Sequence, residues 1–229
     1  MTTKLLLFAA FVVSMLLMSM NHRKRKQRIV FFGDSITDQG MRSGGYIKLL
    51  QQILQHQGIE EDYELVGAGV PGDKIYDLYL RVQEDVLSKG ADIVVIFIGT
   101  NDIWHKFLKL TGTKLGSFEA FYVAIIEKLL AASIKVVVCT PAVIGESPTF
   151  SNDEDEEIAM YCHVIRSLAI KYELPVVDLR RAFVNYNLTY NTAFKEQGIL
   201  TADKVHLNDH GNQLVAEEMW KVLKDFKLK

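Results

Sequence analysis

The chain has 229 residues, a net charge of −2 and 49% hydrophobic residues, which suits one α/β domain with a full core. No basic stripe runs through its body, which excludes the usual nucleic-acid binders. Its two cysteines, Cys139 and Cys162, are too few for a disulfide framework.

Residues 5–20 are apolar apart from two serines, and Lys4 precedes them. This stretch lies between the length of a signal-peptide core and that of a spanning helix, and it lacks a small-x-small cleavage site. It is read as a tether, membrane-anchored or exported, with 1–27 outside the fold and 28–229 as the domain. The basic cluster at Arg23, Lys24, Arg25, Lys26 and Arg28 follows the apolar run. By the positive-inside rule it would hold the domain in the cytoplasm, whereas an export signal carries its charges in front; both orientations stay open.

From Arg28 onward, strand-like and helix-like patterns alternate. Residues 29–32 are a short apolar strand. Tyr46, Ile47, Leu50, Ile53 and Leu54 recur at helical spacing, and Gly58 ends that helix. A second strand at 63–66 runs into a glycine-rich turn, and a helix over 75–87 is closed by Gly90. Residues 93–98 are apolar on both faces, as in a central strand covered by helices. A helix at 118–130, a strand at 136–139 stopped by Pro141, a long helix around 158–169, a strand at 176–177 and a closing helix over 212–226 complete the pattern. Cys139 and Cys162 fall on these apolar stretches and read as core residues, their pairing left open. The acidic run 153–157 reads as a solvated first helical turn rather than a cation site. The loop between Pro141 and Asn152 is a candidate border of a cleft. The alternation predicts a five-stranded parallel sheet with helices on both faces, a three-layer α/β/α fold.

Polar residues collect at the strand ends, where open α/β sheets present their chemistry. Ser35, in Gly33-Asp34-Ser35-Ile36-Thr37, follows the first strand and reads as a nucleophile. Such a serine needs a base, a group to orient the base, and donors for the oxyanion. Asp203 and His206 supply the first two if they share a face of a helical turn. His210 is the runner-up base and Asp178, after the fifth strand, the alternative acid. Asn101, in Gly99-Thr100-Asn101-Asp102 after the third strand, is a neutral donor suited to developing negative charge. Asp34 and Trp104 are taken as substrate contacts, and His105 and Tyr46 as further residues near the cleft.

These blocks together resemble the SGNH (GDSL-type) hydrolases, in order from Gly33 to His206. Gly33-Asp34-Ser35-Ile36-Thr37 is similar to the family's nucleophile block, and Asp203-x-x-His206-Leu207-Asn208 to its closing block. By this resemblance the oxyanion hole is formed by Ser35, Gly72 and Asn101. One departure exists: Gly67 stands where the second block often has asparagine, which puts a supporting hydrogen bond in question. The resemblance implies a flavodoxin-like fold and serine ester hydrolysis without metal or cofactor. A G-x-S-x-G elbow is absent around Ser35. The expected substrate is a small O-acyl ester such as an O-acetylated carbohydrate, with lipid acyl esters or thioesters as the alternative. A non-catalytic carbohydrate- or lipid-binding module would not need Ser35, Asn101, Asp203 and His206 together. A nucleotide site is the weaker rival: Gly67-x-Gly69-x-x-Gly72 fits the dinucleotide fingerprint literally, but its acid, Asp92, precedes its strand.

Overall fold

The computed structural model describes residues 25–149 and 153–225; the tether expected at 5–20 lies outside them. Five parallel strands, β1 (Gln27–Gly33), β2 (Tyr63–Gly69), β3 (Ile93–Phe97), β4 (Lys135–Cys139) and β5 (Val176–Val177), form one sheet in the order β2-β1-β3-β4-β5. This is the flavodoxin-like order, with its topological switch between β1 and β3. Val30, Phe31, Phe32 and all five residues of β3 are buried, because helices cover both faces of the sheet and leave neither to water.

Eight α-helices surround the sheet among the described residues: α1 (Ser35–Gly40), α2 (Tyr46–His56), α3 (Ile75–Asp85), α4 (Thr100–Lys109), α5 (Leu115–Ala131), α6 (Asp153–Lys171), α7 (Leu179–Tyr190) and α8 (Asp209–Leu223). On one face α2 packs against α8; on the other α3 packs against α5, and α5 against α6. Right-handed crossovers force this division, since the path from β1 to β2 runs one way and the path onward through β3, β4 and β5 runs the other.

Three helices go beyond the sequence pattern. α1 has only six residues, too few to show a period. The buried stripe of α7 includes Arg180 and Asn187, which hide its period among polar residues. α4 begins at Thr100, so the polar residues that resemble a turn form its first turn. Cys139 and Cys162 are free and buried, and burial pushes both thiols up. The acidic run is not wholly solvated: Asp155 is buried against Arg180, and Glu157 pairs with Lys106. Asp92 stands at the start of β3, where it accepts from the Arg28 N–H at 2.8 Å. It therefore lies at the edge opposite the glycines of the nucleotide fingerprint.

Candidate active site

Ser35 follows β1 with only Asp34 between them. Asp34 N-caps α1 by accepting from the Ile36 N–H at 3.0 Å, which makes Ser35 the first helical residue. A residue there keeps a backbone N–H that no intrahelical carbonyl takes. Ser35 Oγ lies 2.9 Å from His206 Nε2, and His206 Nδ1 lies 2.7 Å from Asp203 Oδ2. The second contact sets the tautomer: Nδ1 carries the proton toward the carboxylate and Nε2 is left to accept from the serine.

Asp203 and His206 meet in a tight loop rather than on a helical turn. The bridge between Thr201 and Leu207 pinches the loop off, Ala202 N–H donates to His206 O at 2.8 Å, and Lys204 takes a left-handed φ of 78°. The other Asp203 oxygen accepts from the backbone N–H groups of His206 (2.8 Å) and Val205 (3.2 Å). Partial burial alone would raise this carboxyl. The N–H groups and the imidazole outweigh it and hold the carboxyl below its ordinary value, so Asp203 stays ionised opposite the ring.

Loop 141–149 holds this loop from behind. Glu146 is buried, and its carboxylate accepts three consecutive N–H groups, from Ile199 (2.9 Å), Leu200 (2.5 Å) and Thr201 (2.9 Å). Gly145 N–H donates to Lys204 O at 2.9 Å. The segment expected to border a cleft is thus an inner brace for the histidine loop. Glu146 gives no signal in the sequence, because its partners are backbone groups 53–55 residues away.

The third strand end is organised around the turn at Gly72. Gly72 has φ 87°, and a Cβ there would meet nothing within 4 Å, so the backbone angle rather than crowding calls for glycine. Asn101 Nδ2 donates to Asp73 O at 3.1 Å, and Asp102 next to it accepts the Ile75 N–H at 3.2 Å. Consecutive residues of α4 therefore pin both sides of the 72–75 turn. The Asn101 amide retains a second hydrogen for another acceptor.

Other residues singled out in the sequence have different places. Tyr46 is fully buried and donates to Thr37 Oγ1 at 3.1 Å; it supports α1 from the core and does not line a cleft. Trp104 stands edge-on to His206, ring centroids 6.4 Å apart, with the buried His105 ring beyond it. Asp178 caps α7 and accepts from Arg166 at 2.8 and 3.0 Å, so it is committed away from His206. His210 is exposed on the first turn of α8. At Gly67, a Cβ would come within 2.3 Å of Met41 Cγ; Met41 occupies the space that an asparagine side chain would need.

Asp34, read from the sequence as a substrate contact, is 2% exposed and spends its carboxylate on the helix cap, accepting from the Ile36 N–H beside Ser35. Burial first, and the nearby carboxylates of Asp102 and Asp73 after it, push this carboxyl from 3.8 to about 7, against the Ile36 N–H and His206. The unfolded chain therefore gives up the Asp34 proton first. Between about pH 4 and 7 folding loses stability as pH rises, and the penalty is complete above about 7. A displacement of this size corresponds to about 4 kcal/mol. An asparagine in its place would cap equally well without ionising. The Asp34→Asn variant is expected to match the parent in urea unfolding near pH 4 and to exceed it by up to about 4 kcal/mol near pH 8. An equal difference at both pH values would show that Asp34 does not titrate in this way.

A serine aligned with an acid-oriented histidine, set at the switch point of a parallel sheet, performs nucleophilic attack followed by proton return. The class is that of the serine hydrolases on a three-layer α/β scaffold. The chain belongs to the GDSL-like lipase/acylhydrolase family, whose model matches residues 31–214, and is a carboxylic ester hydrolase. It is 52% identical to a crystallised acetyl xylan esterase, AlAXEase, with a TM-score of 0.83 over 85% of this chain and 98% of that one. It is 26% identical to the acetylxylan esterase of Geobacillus stearothermophilus over 83% of this chain and 90% of that protein. A third relative, the α/β hydrolase LAE5 from the Lake Arreo metagenome, is 25% identical with a TM-score of 0.77, over 88% of this chain and 97% of that one.

Proposed function

We propose that the protein removes short acyl groups, acetyl foremost, from hydroxyls of carbohydrates through an acyl-enzyme on Ser35. The 2.9 Å contact between Ser35 Oγ and His206 Nε2 carries this reading. His206 takes the serine proton as Oγ attacks the ester carbonyl, and Asp203 stabilises the imidazolium that forms. The negative charge on the carbonyl oxygen is met by the Ser35 and Gly72 N–H groups and the Asn101 amide. His206 returns its proton to the departing sugar hydroxyl. It then activates the water that attacks the acyl-serine, and acetate leaves as Ser35 recovers its proton.

The carbohydrate assignment is supported by the acetyl xylan esterases that the chain resembles. The Trp104 ring, edge-on to His206 at 6.4 Å, is a bulky wall beside the reacting group and favours a small acyl chain. Aryl esters of increasing acyl length test this. kcat/KM is expected to fall at least tenfold from acetyl to hexanoyl, an order-of-magnitude expectation since each methylene without space costs on the order of 1 kcal/mol. Acetylated xylo-oligosaccharides are expected to release acetate. Rising kcat/KM with chain length, with no acetate released from the oligosaccharides, would overturn the substrate assignment in favour of lipid esters.

A further inference from the structure

We propose that Arg81 is a positioning residue that sets the geometry of the oxyanion donors from outside the site. This rests on the assignment of Ser35, Gly72 and Asn101 as those donors. Arg81 lies on α3, where the sequence shows an ordinary polar helix position. In the structure its guanidinium turns inward and joins three separate segments. Nη2 donates to Gly33 O at 2.7 Å, two residues before Ser35. Nη1 donates to Ala68 O, at the end of β2, at 3.0 Å. Nε donates to Asp73 Oδ2 at 2.7 Å, one residue after Gly72. The Asp73 carbonyl is in turn the acceptor that orients Asn101 Nδ2. Each donor is thus within two residues, or one hydrogen bond, of an Arg81 contact.

The group is itself held rigidly. Asp85, one turn further along α3, accepts from Nη1 at 2.6 Å, and the guanidinium lies 4.6 Å from the centroid of the Phe32 ring. The side chain is 17% exposed. Four of its five N–H donors are engaged in a plane that only a guanidinium provides; a lysine ammonium is a single point and cannot reach two carbonyls and two carboxylates together. Carbonyls of two adjacent strand ends and the carboxylate of the turn that follows β2 are thereby tied to one charge. Arg81 touches no reacting atom, so its effect on rate passes through the donors.

A double-mutant cycle on a soluble acetyl ester tests this, with kcat and KM measured for Arg81→Ala, Asn101→Ala and the pair. Arg81→Ala is expected to lower kcat about a hundredfold, comparable to the loss of one donor, with KM within about threefold. The pair is expected to lose far less than the product of the single losses, because both remove the same stabilisation. Added guanidinium is expected to restore part of the kcat of Arg81→Ala, which a general loss of packing would not allow. If Arg81→Ala does not fold, Arg81→Lys takes its place in the cycle and must show the same kcat loss at near-normal KM. Single losses that multiply, or a KM rise that accounts for the whole loss, would overturn the role of Arg81 alone. A folded Asn101→Ala with normal kcat would overturn the donor assignment and the proposal with it.

Discussion

Alanine at position 35 is expected to lower turnover of an acetyl ester by about a millionfold, the scale set when a serine nucleophile is removed from such a series. The variant should fold normally, since Ser35 is only partly buried and its side chain bonds to His206 rather than to the core. His206→Ala is expected to cost about as much, and the pair no more than either alone, because the two groups act as one unit. A serine-directed phosphonate should label the parent once and Ser35→Ala not at all; labelling that survives would remove Ser35 from the chemistry. Asp203→Ala should cost less than either, while Asp178→Ala should leave kcat close to normal. Asp178 already serves Arg166 and the α7 cap. A larger loss at Asp178 than at Asp203 would mean that the acid lies elsewhere.

The second large effect concerns Asn101. Charge on the substrate oxygen develops mainly in the transition state, so a donor aimed at it acts on kcat more than on KM. Asn101→Ala is expected to lower kcat by about a hundred- to a thousandfold, roughly 3–4 kcal/mol, with a much smaller change in KM. Asn101→Asp should be worse. It would add a carboxylate where charge must be stabilised, next to Asp102, whose own carboxyl burial already raises to about 6. A folded Asn101→Ala with near-normal kcat would return 99–102 to a purely structural role.

Much of this architecture can be read from the chain because parallel strands buried on both faces must be written in continuous apolar residues. The runs at 29–32, 93–98 and 136–139 are of that kind, and the helices between them repeat every three to four residues. The polar blocks at the strand ends are visible for the same reason, being interruptions at fixed places in an apolar pattern. Local geometry is less legible. Asp203 and His206 are three apart, as on a helix, yet the positive φ of Lys204 and the bridge from Thr201 to Leu207 bend them into a loop. Thr100, Asn101 and Asp102 are turn formers by type, yet with Gly99 as the N-cap they form the first turn of α4, where the helix dipole favours an acid such as Asp102. Glu146 leaves no trace, since its carboxylate serves backbone groups of a distant segment, which have no sequence identity; of Arg81, the sequence shows a helical pair with Asp85 but not the reach to the Gly33 and Ala68 carbonyls.

The direction of β1 has a practical corollary. Seven residues, Gln27 to Gly33, carry the chain across the sheet, a distance of about 20 Å. α8 returns it, ending with Lys221 and Val222 beside Pro175 and Val176, where β5 begins. Both ends of the described chain therefore leave by the same rim, on the far side from Ser35. A protein immobilised through either end, on a resin, a carrier or any other support, turns its reactive rim toward the bulk phase. Fusions at these ends would leave a long polymeric ester an unobstructed approach, whereas attachment through the loops after β1 or β3 would not.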